Sequence, residues 1–236
     1  MPVLLVSSDF PLEDERANGM ANFMRAVEFI KCREGRGVFV SYRNDRNEEA
    51  DIYRGTRLLM HQPYSARLYP LDGVSFHGKV CYNREASMDR MERPDGQELR
   101  LTEDAGNILW IRPCVGMTYP QAGPQVRAVL HDSYHSGTIA VNAGLEEFAG
   151  RMEQAGIPVY LTGASSGEAE YETVRMYEQY GIRVLPKMSL IAAYCKLWLA
   201  LSNDLDVNSI MNTCIAEDII QEQRGVIRTD EQSRRD

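Results

Sequence analysis

The sequence predicts an α/β protein in two parts, the second a three-layer α/β/α unit built on a mostly parallel sheet. Three observations carry this. An apolar run, a helical period and a second apolar run follow one another within the first 40 residues. After residue 105, short apolar runs alternate repeatedly with amphipathic stretches closed by glycine. Between these regions, from Asn83 to Thr102, Arg, Asp and Glu dominate and apolar residues are sparse. Such a composition shift marks a linker, giving domains at 1–85 and 105–236 with 86–104 between them.

The elements follow in order. Residues 3–7 form a short apolar run that fits a buried strand. A polar loop, 8–19, leads to apolar residues at Met20, Phe23, Met24, Val27 and Ile30, the spacing of one helix face. Gly35 and Gly37 end that helix, and 38–40 is the next strand. Strand, helix and strand with short connections predict a parallel pair. The charge-rich stretch 43–51 reads as a turn, 52–60 as a short strand or hairpin arm, and 64–80 as irregular β structure.

The second domain is more regular. Strands are predicted at 108–111, 127–130, 157–161 and 182–185. Helices are predicted at 142–154, closed by Gly156, and at 168–180, closed by Gly181. A strongly apolar helix, packed on both sides, is predicted over 189–201, and a last helix over 207–220. The polar tail from Gln221 is expected to fray.

Composition excludes several functions. A formal net charge of -8 with no Lys/Arg cluster offers no footprint for nucleic acid. No apolar run reaches the roughly 18 residues of a membrane span, and the first residues lack the basic flank of a signal peptide. Five widely spaced cysteines with no Cys-x-x-Cys pair read as reduced thiols. The expectation is a cytoplasmic protein without membrane or nucleic-acid partners.

Ligands in parallel α/β sheets bind beyond the carboxyl ends of strands. Three loops qualify: Ser7-Ser8-Asp9, the stretch from Asp132 to Thr138, and the stretch from Thr162 to Glu168. The last two are dense in hydroxyls and glycines, which offer small donors and backbone N–H groups to a carboxylate or amide. The bland alternative is loop and cap chemistry, with Thr162 or Ser166 capping the next helix. The four histidines, His61, His77, His131 and His135, have no metal-site spacing, so no metal is expected; no glycine-rich loop with Lys marks a nucleotide site, and no cofactor is expected. His135 beside Ser133 or Ser136 imitates a nucleophile and base only in sequence, and no Gly-x-Ser-x-Gly elbow occurs.

The residues also resemble a known family. Val129-Leu130 running into Ser133-Tyr134 is similar to the strand and Ser-Tyr-Gly-x-Gly-Asn loop of bacterial L-asparaginases, nearest the cytoplasmic type I enzymes. Leu161-Thr162 with Ser166-Gly167 resembles their Leu-Thr-Gln-Cys-x-Ser-Gly loop. Lys187-Met188-Ser189 and 192–197 resemble their Asp-Met-Thr entry and Ala-x-x-Lys-Leu helix. In the first domain, Pro11-Leu12, Arg16, Gly19, Asn22 and Ala26 keep the pattern Pro-Leu-x-x-x-Arg-x-x-Gly-x-x-Asn-x-x-x-Ala. The stretch 52–57 resembles Leu-Tyr-Arg-Gly-Asn-Arg. The resemblance implies an asparaginase-like fold over nearly the whole chain, with a truncated N-terminal α/β domain.

The departures carry the functional expectation. The family's Thr-Gly-Gly-Thr-Ile loop and His-Gly-Thr-Asp-Thr loop supply its catalytic threonines. Neither Thr-Gly-Gly-Thr nor Gly-Thr-Asp-Thr occurs here, and the sequence begins at the strand that follows both. Met60 stands where the resemblance places the relay Lys, and a thioether cannot take a proton from a hydroxyl. Asp132 matches the Arg associated with effector binding, and Ala164 matches the Cys of the third loop. The expected protein is therefore inactive alone. It keeps a pocket for a small amino-acid-like ligand, lined by Ser133, Tyr134, Thr138, Thr162 and Glu168. An alternative is an amidohydrolase whose threonines come from a partner or are replaced by Ser7 or Ser8, with Tyr134 a further catalytic candidate. A structural accessory subunit is the third reading. Without the family's preceding strands, 3–6 would expose apolar surface or an unpaired edge. A homo-oligomer is the first expected cover, and a separate chain carrying the absent half is the second.

Overall fold

A computed structural model describes residues 1–32, 36–45, 49–71, 99–103, 107–164 and 172–220. The linker stretch 86–98, Glu168 and the tail from Gln221 lie outside the described residues.

The first α/β region holds a three-stranded sheet in the order β1-β2-β3. Strand β1 (Pro2–Val6) pairs in parallel with β2 (Gly37–Tyr42), and helix α1 (Gly19–Lys31) crosses between them. Strand β3 (Asp51–Arg54) returns antiparallel to β2 and ends in a single 3-10 turn, Gly55–Arg57. Phe29 of α1, Phe39 and Ile52 form the small core, with Leu4 packed against it.

One expectation for α1 is corrected in detail. The apolar stripe read from the sequence does not face the sheet: Met20, Phe23, Met24 and Ile30 are all exposed. The buried side is Gly19, Asn22, Ala26 and Phe29. Asn22 sets this rotation. Its Nδ2 donates to the Ser7 carbonyl at 2.8 Å, and its Oδ1 accepts from the Arg43 N–H at 2.7 Å. Its own carbonyl accepts from the Ser41 hydroxyl at 2.7 Å. Two side-chain bonds to backbone groups and one from the Ser41 hydroxyl outweigh an apolar stripe that finds no partner surface within the described residues.

The second region is a four-stranded, all-parallel sheet in the order β4-β5-β6-β7. Its strands are Ile108–Ile111, Ala128–His131, Val159–Leu161 and Ile182–Val184. Two cores lie on its opposite faces. One holds Leu145, Phe148 and Met152 of α2 (Ala143–Gln154) and Tyr177 of α3 (Glu172–Gln179). The other holds Ala193, Leu197 and Leu201 of α4 (Leu190–Ser202) and Met211 of α5 (Val207–Asn212). This is the expected three-layer arrangement.

Local chemistry explains the helix ends. Asn142 accepts from the Leu145 N–H at 3.0 Å, Ser189 from Ala192 at 3.2 Å and Asp206 from Ser209 at 3.1 Å, each an N-terminal cap. Gly156 and Gly181 follow α2 and α3 with φ of +66° and +68°, where a β-carbon would be strained. The last helix is shorter than expected. It stops at Asn212 because the chain turns through Ala216 and Glu217, both at positive φ, while Asp218 Oδ1 captures the Ile215 N–H at 2.8 Å.

Candidate functional site

The loop from Asp132 to Thr138 lies beyond the carboxyl end of β5, and residues 162–164, the described part of the next loop, follow β6; Ser165 to Glu168 lie outside the described residues. His131 ends β5 and is fully buried. Its Nδ1 lies 2.5 Å from the Asp132 carbonyl, and its Nε2 lies 3.1 Å from the Tyr119 hydroxyl. With Nδ1–H donated to the carbonyl, Nε2 accepts from Tyr119. Burial pulls the imidazole below its ordinary value, opposed by the Asp132 carbonyl and carboxylate. Tyr119 stacks on Phe148 with ring centres 4.8 Å apart, and burial chiefly pushes its hydroxyl up to about 12. Sequence reasoning missed this unit. Tyr119 lies in a Pro- and Gly-containing stretch with no period to announce it.

Asp132 organises the surrounding loops. Its Oδ1 accepts from the Ser133 N–H at 2.9 Å and, at a long 3.5 Å, from the buried Thr162 hydroxyl. Its Oδ2 lies 3.9 Å from Arg112. Ser133 packs over Gly163 so closely that a β-carbon there would stand 2.3 Å from its Oγ. Tyr134 and Thr138 are joined by a 2.8 Å backbone bond, and the Thr138 hydroxyl meets Ser136 at 2.8 Å. Ser133, Tyr134, Thr138 and Thr162 therefore gather at one end of one sheet. Thr162 faces the interior rather than open solvent, since its hydroxyl is held by the His131 carbonyl and Asp132.

The candidates of the first region are bonded within that region. The Ser8 hydroxyl donates to the Phe10 carbonyl at 2.6 Å and accepts from Gly19 at 3.2 Å. Ser7 offers its carbonyl to Asn22. Among the described residues, neither hydroxyl is bonded to a histidine, lysine or carboxylate, so neither has an activating base. Met60 is half-buried on the arm after the 3-10 turn. Leu58, two residues before it, bridges to Pro70, and the Leu59 N–H bonds the Tyr69 carbonyl at 2.9 Å.

A cavity of about 530 Å³ opens beside this arm, at the carboxyl ends of β1 and β2. Asp9, Phe10, Tyr42 and Asp45 line one side; Arg67 and Tyr69 line the other. Asn44 pins the outer wall, donating to the Leu68 carbonyl at 3.0 Å and accepting from its N–H at 2.9 Å. Among the described residues, no group of three His, Cys, Asp or Glu side chains could hold a metal ion. No helix there is long and apolar enough to cross a membrane.

Two α/β regions in this order and connectivity define an asparaginase-like architecture. Among solved structures, L-asparaginase I from Vibrio cholerae matches with a TM-score of 0.66 and 21% identity, over 93% of this chain and 68% of that one. The thermostable L-asparaginase from Thermococcus kodakarensis matches with a TM-score of 0.65 and 21% identity, over 94% and 68%. No protein-family model and no curated protein sequence matches the chain. The shared property is the fold.

Proposed function

We propose that this protein is an asparaginase-fold chain that does not hydrolyse amides alone and retains a site for a small amino-acid-like ligand. The observation that carries the reading is Met60, placed where the resemblance expects the lysine of the proton relay. A thioether neither accepts nor delivers a proton, so a nearby hydroxyl stays a weak nucleophile. The sequence supplies no Thr-Gly-Gly-Thr or Gly-Thr-Asp-Thr segment, and the Ser8 hydroxyl is occupied by loop bonds. The ligand, an amino acid or its side-chain amide, would meet Ser133, Tyr134 and Thr138 at the β5 end, with Thr162 behind them.

Completion by a partner is the second reading, and the first sheet favours it. Strand β1 is an edge with no neighbour beyond it among the described residues. Val3 pairs with Val38 and Leu5 with Val40, so these four share the face opposite α1, and Val3, Leu5 and Val38 are exposed. Parallel sheets are normally covered on both faces. Stacking two copies through this face would bury it, making a homo-oligomer the first choice. A separate chain supplying strands and the catalytic threonines is the second. In that case the assembled protein would be an amidohydrolase converting L-asparagine and water to L-aspartate and ammonia.

One NMR sample tests the first reading. L-asparagine added to the purified, isotope-labelled chain should persist unconverted for hours while the amides of residues 133–138 shift. Conversion to aspartate by the chain alone contradicts inactivity. Unmoved amides at millimolar ligand contradict the binding site and favour an accessory subunit.

A further inference from the structure

The cavity at the carboxyl ends of β1 and β2 is separate from the Ser133–Thr162 loops, and its chemistry differs from theirs. Its walls are aromatic: Phe10, Tyr42, Tyr64 and Tyr69. Its ionic groups do not balance. Arg67 is paired with Asp45, and Arg16 at the rim with Asp14, which leaves Asp9, also within the field of Arg16, as the carboxylate without an ion pair of its own. Asp9 accepts the Asn18 N–H at 3.1 Å and forms no ion pair among the described residues. The rim already displays a related contact, since the Arg16 guanidinium lies 4.1 Å from the centre of the Phe10 ring.

The mouth is built at a conformational cost. Tyr64 has φ +60°, a left-handed conformation unfavourable for a bulky residue, and its ring is fully exposed. The turn is nevertheless held. Ser65 N–H reaches the Gln62 carbonyl at 3.3 Å, and the Ser65 hydroxyl takes the Arg67 N–H at 3.2 Å. A strained aromatic residue kept at the opening of an aromatic cavity suggests a role in binding. Aromatic faces carry negative potential and, with a nearby carboxylate, favour a desolvating cation.

We propose that this cavity binds a small organic cation, a primary ammonium or guanidinium on a short flat body, with Asp9 neutralising the charge at the rim, Tyr42 and Tyr69 forming the wall behind it and Tyr64 standing at the open mouth. The proposal does not depend on the amino-acid site of the second domain.

Calorimetry with the full chain at low ionic strength tests it, using benzylamine, its neutral isostere benzyl alcohol, and benzoate. Benzylamine should bind saturably at one site per chain, with benzyl alcohol roughly tenfold weaker and benzoate silent. Asp9→Asn keeps an acceptor for Asn18 but removes the charge, and should weaken benzylamine by a similar factor. Tyr64→Gly relieves the backbone, so it should raise the unfolding midpoint while lowering affinity. A merely structural Tyr64 would not couple the two changes. Equal binding of the alcohol, preferred binding of benzoate, no saturable binding, or an unaffected Asp9→Asn variant would each overturn the proposal.

Discussion

The Lys196 ammonium lies 3.0 Å from the Asp218 carboxylate, with side chains only 5% and 2% exposed. The ammonium also donates to the Thr213 carbonyl at 2.6 Å and the Met211 carbonyl at 3.4 Å, so its charge is fully engaged. The next residue back turns the other way. Glu217 stands 2.7 Å from Arg54 of β3, its carbonyl accepts from Arg57 at 2.7 Å, and the Ala216 carbonyl accepts from Thr56 at 2.9 Å. A single stretch after α5 thus locks α4 from within and ties the first α/β region to the second.

Removing one member of the buried pair should be costly. Lys196→Met leaves the Asp218 charge uncompensated and should destabilise the chain by about 3–5 kcal/mol, whereas Lys196→Met with Asp218→Leu should cost far less. Urea midpoints of the two variants check this, and equal losses would contradict it.

Glu217→Gln should act on the joint rather than on either core. It removes a nearly buried partner of Arg54, at an expected cost of about 2–4 kcal/mol. Limited proteolysis should then cut sooner between the domains while the isolated cores keep their protection. Unchanged cleavage would show that the joint does not depend on this pair.

The resemblance at 52–57 was legible in the sequence, and the structure gives a reason. Among the described residues, Arg54, Thr56 and Arg57 bond to Ala216 and Glu217 of the second region. The parallel sheet and its helices were also legible, because their apolar runs alternate with capped, glycine-closed helices. The orientation of α1 was not. Periodicity placed Met20, Phe23 and Met24 on one face, but the bonds of Asn22 to Ser7, Ser41 and Arg43 decided which side met the sheet. The length of α5 was hidden for a similar reason, since a side-chain capture by Asp218 ends the helical path. The half-buried Tyr119–His131 contact joins residues in unrelated local patterns, and the aromatic cavity gathers three separate segments. No spacing rule brings such residues together.

His131 makes stability depend on pH. Its folded pKa is depressed by burial, so the unfolded chain binds the proton first as acid is added. This contribution is fully present above the unfolded value of about 6.5. It falls as pH drops below that value toward the lowered folded one, with a slope of at most about 1.4 kcal/mol per pH unit. His131→Gln should flatten that part of the stability profile, measured by denaturant unfolding from pH 7.5 to 4.5. An unchanged slope would assign it to other groups.

Gly163 and Ser133 should be coupled. Gly163→Ala forces a β-carbon to 2.3 Å from the Ser133 hydroxyl at φ +75°, and should cost about 2–3 kcal/mol. In a Ser133→Ala background only the backbone strain remains, about 1–2 kcal/mol. Additive losses in a double-mutant cycle would show that the loops relax apart.

The bare sheet face predicts association. Leu5→Lys places a charge among Val3, Val38 and Val40 without touching the α1 core. Light scattering should show the parent chain as an oligomer and the variant as a folded monomer. A monomeric parent would remove the self-association reading.

The central claim is that Met60 marks a chain without a working proton relay. Ammonia release from L-asparagine, followed with purified chain at micromolar concentration, tests it most directly. The account predicts no release above the rate in buffer. Turnover by the parent at about 1 per second or faster, the range of ordinary enzymes, would contradict it.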